Sequence, residues 1–175
     1  MKSFGYRWVG VLAFTAYLVL LSSPAARAEE MTAKTLIDRA AIQDLITRYY
    51  DNFGKPNRES FADFYADDAE LILGADHFKG KDGINEAYRR AGANTSVEKA
   101  YSFNITISNL LIVVHGERAT AKLLFTEYLM QKQGDTPSIR TQGWDYATFV
   151  KVKGQWRYRM RQIVGGNRSP DGWQE

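Results

Sequence analysis

The sequence predicts an α+β fold in which three N-terminal helices are followed by a strongly bent antiparallel sheet. Before Asn94 the apolar residues recur with a helical period, and after it the chain consists of long β-type runs separated by short turns. Helices first and long strands afterwards is an α+β pattern. We expect the sheet to wrap around the first helix, so that each buries its apolar face against the other.

The first 28 residues are predicted to be a cleaved secretory signal. Lys2 and Arg7 precede an uncharged run from Val9 to Leu21, and small residues in SSPAARA end the segment. The run is shorter than the roughly 20 residues that span a bilayer. We therefore expect cleavage near Glu29 and a periplasmic or secreted protein. An uncleaved anchor is the alternative.

Composition predicts one neutral domain once the signal is removed. The chain has 23 Lys and Arg against 20 Asp and Glu, and three of the basic residues lie in the signal. A mature chain with 20 of each favours neither a nucleic-acid partner nor membrane binding after cleavage. Because there is no Cys, a buried core must supply the stability. The predicted organisation is a domain over 29–165 and a tail over 166–175.

An amphipathic helix is predicted to begin at Thr35. Its expected buried stripe is Ile37, Ala41, Leu45, Tyr49 and Phe53, widened by Ile42 and Ile46, with Asp38 off it. After GKPN, Asn57 is a candidate N-cap for a second short helix that carries Phe61, Phe64 and Tyr65. A third helix is expected around 84–91.

Six extended segments are expected around these helices. They are ELIL from 70, a short piece at 77–78, and long runs at 100–114, 119–131, 139–152 and 155–164. Gly116 in HGER and the Lys153–Gly154 pair mark tight turns between the last long runs.

The segments AAIQDLITRYY, FADFYADDAELIL, GKDGI, SNLLIVVHGERATA and GWDYATFVKVKGQWRYRMRQ, in this order, resemble the SnoaL-like branch of the NTF2-like superfamily. The resemblance covers about residues 35–165. It implies a cone: a bent sheet closed by helices, with a pocket between the concave face and the first helix. Scytalone dehydratase, ketosteroid isomerase and hexachlorocyclohexane dehydrochlorinase share this cone, and homodimers through the convex face are common among similar proteins. Function must be argued from the site.

The resemblance also indicates that the usual proton acceptors are missing. Dehydratase-like and dehydrochlorinase-like members pair a His on a long strand with an Asp on the first helix. The corresponding positions here are Ile105 and Gly54, and the ketosteroid isomerase base falls near Leu73. None of these side chains can transfer a proton.

Arg161 and Asp145 are the charged candidates. Arg161 matches a pocket arginine of the dehydrochlorinase-like members and would hold an anion or oxyanion. Strict alternation puts Arg157, Arg159 and Arg161 on one face, which is typical of a solvated face unless a bulge turns Arg161 inward. Asp145 is either a pocket carboxylate and general base or an exposed residue at a strand end.

The predicted ligand-binding residues are mostly rings with a few neutral hydrogen-bonding groups: Tyr49, Phe53, Tyr65, His77, Asn104, Tyr128, Trp144 and Tyr146. Plain core packing is the alternative for the rings, although a buried Tyr49 hydroxyl needs a partner. For His77 the alternative is a surface histidine. Such a lining suits a mostly apolar, aromatic or polycyclic small molecule.

Two functions remain open from the sequence. The first is an exported cone that binds a small molecule without reaction, because the usual His and Asp are absent. The second is a cofactor-free lyase or isomerase that uses Tyr49, Arg161 and a carboxylate such as Asp145. No metal or cofactor is expected, since neither zinc-ligand spacing nor a dinucleotide fingerprint is present.

Overall fold

The computed structural model describes residues 31–53, 60–93, 100–166 and 168–173. The predicted signal, Gly54 and the candidate cap Asn57 lie outside these residues. The elements in chain order are α1 (Ala33–Asp51), a 3₁₀ helix (Phe61–Phe64), β1 (Tyr65–Leu73), β2 (Asp76–Lys79), α2 (Gly80–Ala93), β3 (Ser102–His115), β4 (Arg118–Met130), β5 (Ser138–Val152) and β6 (Gln155–Val164).

The predicted α+β fold is confirmed, but the helix count is wrong. The described residues contain two α-helices, because the expected second helix is a single 3₁₀ turn and Tyr65 already belongs to β1. Four residues suffice for a 3₁₀ turn and not for a stable α-helix. Neither α-helix is long and apolar enough to cross a membrane.

The sheet has the order β2-β1-β6-β5-β4-β3. All neighbouring pairs are antiparallel except β1 and β6, which are parallel, so the expectation of a wholly antiparallel sheet is also wrong. Register shifts interrupt the pairing of β3, β5 and β6. Bulges of this kind bend strands, which curls the long strands around α1.

Helix α1 begins with a reciprocal cap. The Thr32 hydroxyl accepts from the Thr35 backbone N–H at 3.2 Å, and the Thr35 hydroxyl accepts from the Thr32 N–H at 2.7 Å. Two orphan donors are thereby satisfied, which fixes the start of the helix.

The buried face of α1 is rotated from the predicted stripe. Ile37 is 69% exposed and Ala41 is exposed, whereas Asp38 is buried. The reason is that Asp38 has partners: its Oδ1 accepts from Trp156 Nε1 at 3.0 Å and from Lys151 Nζ at 2.5 Å. A buried carboxylate is tolerated when it is paired and hydrogen-bonded.

The C-terminal tail packs on the convex face of the sheet. The Trp173 ring lies edge-on to the Tyr146 ring with centroids 5.0 Å apart, and the Ser169 hydroxyl lies 3.2 Å from the Tyr146 hydroxyl. The tail therefore covers Tyr146, which is buried although it faces away from α1.

Candidate ligand-binding site on the concave face

A β-bulge in β6 brings Arg161 to the concave face. Between Tyr158 and Met160 the register with β5 shifts, so Arg159 is an extra residue. Arg159 remains at the surface and pairs with Asp68 at 3.1 Å. The bulge resets the alternation, and Arg161 follows Tyr158 onto the buried face with only 5% exposure. The structure thus shows the bulged alternative of the two that the sequence allowed.

Arg161 forms a buried ion pair with Asp145 on the neighbouring strand. Arg161 Nε donates to Asp145 Oδ2 at 2.7 Å, and Tyr50 donates its hydroxyl to the same oxygen at 2.7 Å. Arg161 Nη2 also donates to the Tyr50 hydroxyl at 2.9 Å. Asp145 is 2% exposed, so water does not screen the pair.

Three further tyrosine hydroxyls extend this network away from Asp145. Arg161 Nη1 donates to the Tyr49 hydroxyl and, at 3.2 Å, to the Tyr88 hydroxyl. The Tyr88 hydroxyl is hydrogen-bonded to that of Tyr49 and lies 3.1 Å from that of Tyr65. We call Arg161, Asp145, Tyr49, Tyr50, Tyr65 and Tyr88 the Arg161 cluster. It joins α1, α2, β1, β5 and β6.

Burial keeps the phenols of the cluster protonated. Desolvation raises the pKa of Tyr49, Tyr50, Tyr65 and Tyr88 well above 10.0. Burial alone would lower the pKa of Arg161, but the Asp145 carboxylate keeps it well above its usual value. At neutral pH the cluster therefore contains four neutral hydroxyls around an arginine whose charge is already compensated.

Two buried polar atoms near this network have no hydrogen-bond partner within the described residues. They are Asp145 Oδ1 and the Tyr158 hydroxyl. Tyr158 shares the interior, since its ring centroid lies 5.4 Å from that of Tyr49. A buried carboxylate oxygen without a donor is rare and expensive. Asp145 can therefore accept one more hydrogen bond.

Aromatic rings enclose the Tyr49 end of the cluster. Seven rings lie with centroids 5.1 to 6.4 Å from that of Tyr49: Tyr50, Phe53, Phe61, Phe64, Tyr65, Tyr88 and Tyr158. Most of these residues are buried, but Phe53 and Tyr88 are only half-buried. Tyr88 also stacks on Phe61, with centroids 4.2 Å apart. The half-buried residues at this end are therefore Tyr88 of the cluster and Phe53 beside it.

The structure brings Tyr49, Tyr65, Arg161 and Asp145 together, with Phe53 beside them. The other predicted ligand-binding residues lie apart from the cluster. His77 is on β2, has 54% side-chain exposure and lies 3.5 Å from Glu70.

Four of these residues lie on the convex face because of strand alternation. Asn104 is exposed and pairs in register with Tyr128, so both face away from Phe103 and Ile105. Trp144 and Tyr146 flank the inward-facing Asp145 and therefore point outward. This follows from the period of two along a strand.

Sequence reasoning missed Tyr50 and Tyr88 as members of the cluster. Tyr50 follows Tyr49 directly and lies on the same broad buried face of α1. Tyr88 is four residues after the buried Ile84 on α2, and this spacing was the available signal. The inert position Ile105 packs against the core, as does Leu73.

Comparison with known proteins agrees with this geometry. The bent sheet packed on α1 has the architecture of an NTF2-like cone. The SnoaL-like domain model matches residues 34–162, and the chain belongs to this family. No curated protein sequence gives a significant match.

Solved structures show the same fold. An NTF2-like protein with a cystatin-like fold from Novosphingobium aromaticivorans is 20% identical with a TM-score of 0.63, aligning over 80% of this chain and 86% of that one. A scytalone dehydratase candidate from the same organism is 21% identical (TM-score 0.61, 83% and 100%). Hexachlorocyclohexane dehydrochlorinase LinA-type3 from Novosphingobium barchaimii is 19% identical (TM-score 0.59, 79% and 94%). At these identities the likeness concerns the fold alone.

Proposed function

We propose that this protein binds a mostly apolar, aromatic or polycyclic small molecule at the concave face, with one ligand oxygen held at Tyr88. The observation that carries this proposal is the convergence of the Tyr49, Tyr65 and Tyr88 hydroxyls beside Arg161. Tyr88 is the one residue of the three that is only half-buried. A patch of hydroxyl donors surrounded by rings is the usual composition of a small-molecule site.

The charge balance favours a neutral ligand oxygen. Arg161 is already paired with Asp145, so an anionic ligand would have to compete with a buried carboxylate. The phenols remain protonated because burial raises their pKa, and a protonated phenol donates well to a carbonyl or ether oxygen. A ketone on an aromatic or polycyclic body matches these donors.

The aromatic surround supports an apolar ligand body. The rings of Phe53 and Phe103 lie with centroids 6.4 Å apart, and that of Phe53 lies 4.5 Å from that of Phe61. Phe53 is half-buried, so part of its face is available to a ligand. Offset and edge-on ring contacts would add to the stabilisation from burial.

A second candidate is a cofactor-independent lyase or isomerase that uses Tyr49, Arg161 and Asp145. The observation that favours it is the unpartnered Asp145 Oδ1, which could accept a proton from carbon next to a carbonyl. The C–H electron pair would then form a carbon–carbon double bond while the carbonyl π pair moves to the oxygen, and tyrosine hydroxyls would stabilise the resulting enolate. The scytalone dehydratase candidate and the dehydrochlorinase among the solved structures make this class relevant.

Export to the periplasm or medium is part of the proposal, based on the N-terminal sequence alone. N-terminal sequencing of protein from the extracellular or periplasmic fraction should give a start near Glu29. A homodimer through the convex face is a further proposal, and sedimentation of the mature protein would test it.

The binding function is tested by thermal-shift screening of aromatic and polycyclic ketones, followed by calorimetric titration of the best ligand. Tyr88→Phe removes one central hydroxyl and should weaken binding about tenfold, since a neutral hydrogen bond contributes about 1 kcal/mol. Tyr128→Phe, on the convex face, is the matched control and should bind like the wild type. Equal affinity in both variants would contradict the site.

The catalytic candidate requires a separate readout. Proton exchange at the carbon next to the ketone, followed by NMR in heavy water, should occur with the wild type and stop with Asp145→Asn if Asp145 is a base. Ketone binding without proton exchange would support a binding protein and would contradict the lyase or isomerase hypothesis.

A further inference from the structure

A groove outside the Arg161 cluster lies beside α1. It has a volume of about 410 Å³ and is formed by α1, the 3₁₀ helix and the turn between β5 and β6. This volume is in the range of small-molecule sites. None of the six residues of the Arg161 cluster lines it, so it is a separate site.

Three apolar core side chains form the floor of this groove, and polar or charged side chains supply most of the rest of its lining. Leu45 of α1, Phe64 of the 3₁₀ helix and Trp156 of β6 line it, and each is at least 96% buried in the folded chain. Such side chains belong to the core and present a fixed edge to the groove. The floor is therefore formed before a ligand arrives.

The rim carries two arginines without an ion-pair partner among the described residues. Arg48 lies over the Phe64 ring, with its guanidinium carbon 6.0 Å from the centroid. Arg157 donates only to neutral acceptors, the Trp156 carbonyl at 2.9 Å and Gln155 Oε1 at 2.6 Å. Asp63 also lines the groove, but it forms no ion pair with either arginine.

Three other surface arginines do have a carboxylate partner. Arg159, two residues after Arg157 on the same strand, pairs with Asp68 at 3.1 Å. Arg89 and Arg90 both pair with Glu86, whose pKa they lower to about 2. Two arginines against one carboxylate, Asp63, leave the groove with an excess of positive charge.

We propose that this groove binds a small organic carboxylate. The carboxylate would lie between Arg48 and Arg157, whose planar donor forks match its two oxygens. The apolar part of the ligand would rest on the edge formed by Leu45, Phe64 and Trp156. The volume exceeds what an inorganic anion fills, which is why an organic body is included.

The proposal is tested by calorimetric titration of the full mature protein with benzoate. Benzamide has the same shape without the charge and should bind at least about tenfold more weakly, because charge-assisted hydrogen bonds are the stronger kind. Inorganic phosphate should also bind more weakly, since it makes no contact with the floor. Benzamide or phosphate that binds as well as benzoate would overturn the proposal.

Variants locate the binding. The double variant Arg48→Ala/Arg157→Ala should lose benzoate affinity by at least about tenfold. Arg39→Ala is the matched control, because Arg39 is also on α1 but lines a different concavity with residues of β3. It should bind like the wild type. Wild-type affinity in the double variant would overturn the proposal, and circular dichroism checks that each variant is folded.

Tyr88→Phe separates this site from the concave one. Benzoate affinity should be unchanged in that variant, and loss of benzoate binding there would show that the anion enters the Arg161 cluster instead. The experiment therefore tests carboxylate binding at the groove separately from ketone binding at the concave face.

Discussion

Two buried carboxylates in this molecule, Asp38 and Asp145, differ in how their oxygens are hydrogen-bonded. Asp38 directs one oxygen to two donors, Lys151 and Trp156, and thereby joins α1 to the last hairpin. Asp145 also receives two donors on one oxygen, from Arg161 and Tyr50, but its other oxygen is buried without a partner.

The Asp145 ion pair is also more deeply buried than the Asp38 ion pair. Lys151 retains 19% side-chain exposure beside Asp38, whereas the Arg161 and Asp145 side chains are 6% and 1% exposed. The Asp38 pair is a structural link at the edge of the core. The Asp145 pair lies deep in a network of tyrosine hydroxyls and leaves one carboxylate oxygen without a donor, which costs stability. The proposed ligand-binding site would account for this arrangement.

The largest effect expected from this comparison is that of Arg161→Met. The substitution leaves Asp145 buried without its cation, and breaking such a pair costs about 3–5 kcal/mol of unfolding free energy. Urea denaturation monitored by circular dichroism measures this. Arg161→Met/Asp145→Leu should recover most of the loss, because removing both charges removes the unpaired one. A loss under about 1 kcal/mol in the single variant would contradict the buried pair.

A smaller loss is expected from Asp38→Asn. The amide oxygen can still accept from Trp156, but the attraction to Lys151 disappears, at a cost of about 1–3 kcal/mol. Ketone binding should not change, because Asp38 lies outside the Arg161 cluster. A variant of normal stability with weakened ligand binding would reverse the roles assigned to the two pairs.

Alkaline pH should destabilise the protein through the buried phenols. Their pKa lies well above 10.0 in the folded state, so the unfolded chain loses these protons first as the pH rises. The stability they contribute is fully present below pH 10.0 and is lost above it. The ultraviolet absorbance of tyrosinate from the cluster should appear together with unfolding; its appearance in a chain that still shows native circular dichroism would contradict the burial.

The smallest expected effect is the loss of stability at acidic pH that comes from protonation of Asp38. Burial by itself would raise the pKa of Asp38, but the hydrogen bonds from Lys151 and Trp156 bring it below 3.8. The unfolded chain is therefore protonated first on acidification, so the stabilisation is present above about pH 4 and is lost as the pH falls through the folded pKa. Urea midpoints between pH 5 and 2.5 should decline less steeply in Asp38→Asn than in the wild type. If the urea midpoints of the wild type and Asp38→Asn declined equally with falling pH, protonation of Asp38 would not contribute to the acid destabilisation.

The sequence predicted the architecture better than the site. Long strands, tight turns and the resemblance sufficed for the cone, because strand period and turn chemistry are local properties. The sequence could not decide whether the Arg161 side chain faces inward. Its direction depends on which residue of β6 is bulged, and the pairing of β6 with β1 and β5 determines that residue.

Burial of Asp38 and the membership of Tyr88 could not be derived locally. Asp38 lies off the predicted apolar stripe, and its burial depends on hydrogen bonds from Lys151 and Trp156, which are more than 110 residues away. The spacing from Ile84 puts Tyr88 on the buried face of α2, but its contact with Tyr49 and Arg161 depends on how α2 docks on the rest of the fold.

The most direct test is a crystal structure of the mature protein with the tightest ketone from the screen. We predict that the ketone oxygen lies within hydrogen-bond distance of the Tyr88 hydroxyl and that the ligand rings contact Phe53. A ligand found elsewhere, with the Tyr49–Tyr88–Arg161 hydrogen bonds untouched and no ligand atom at Tyr88, would contradict the central claim.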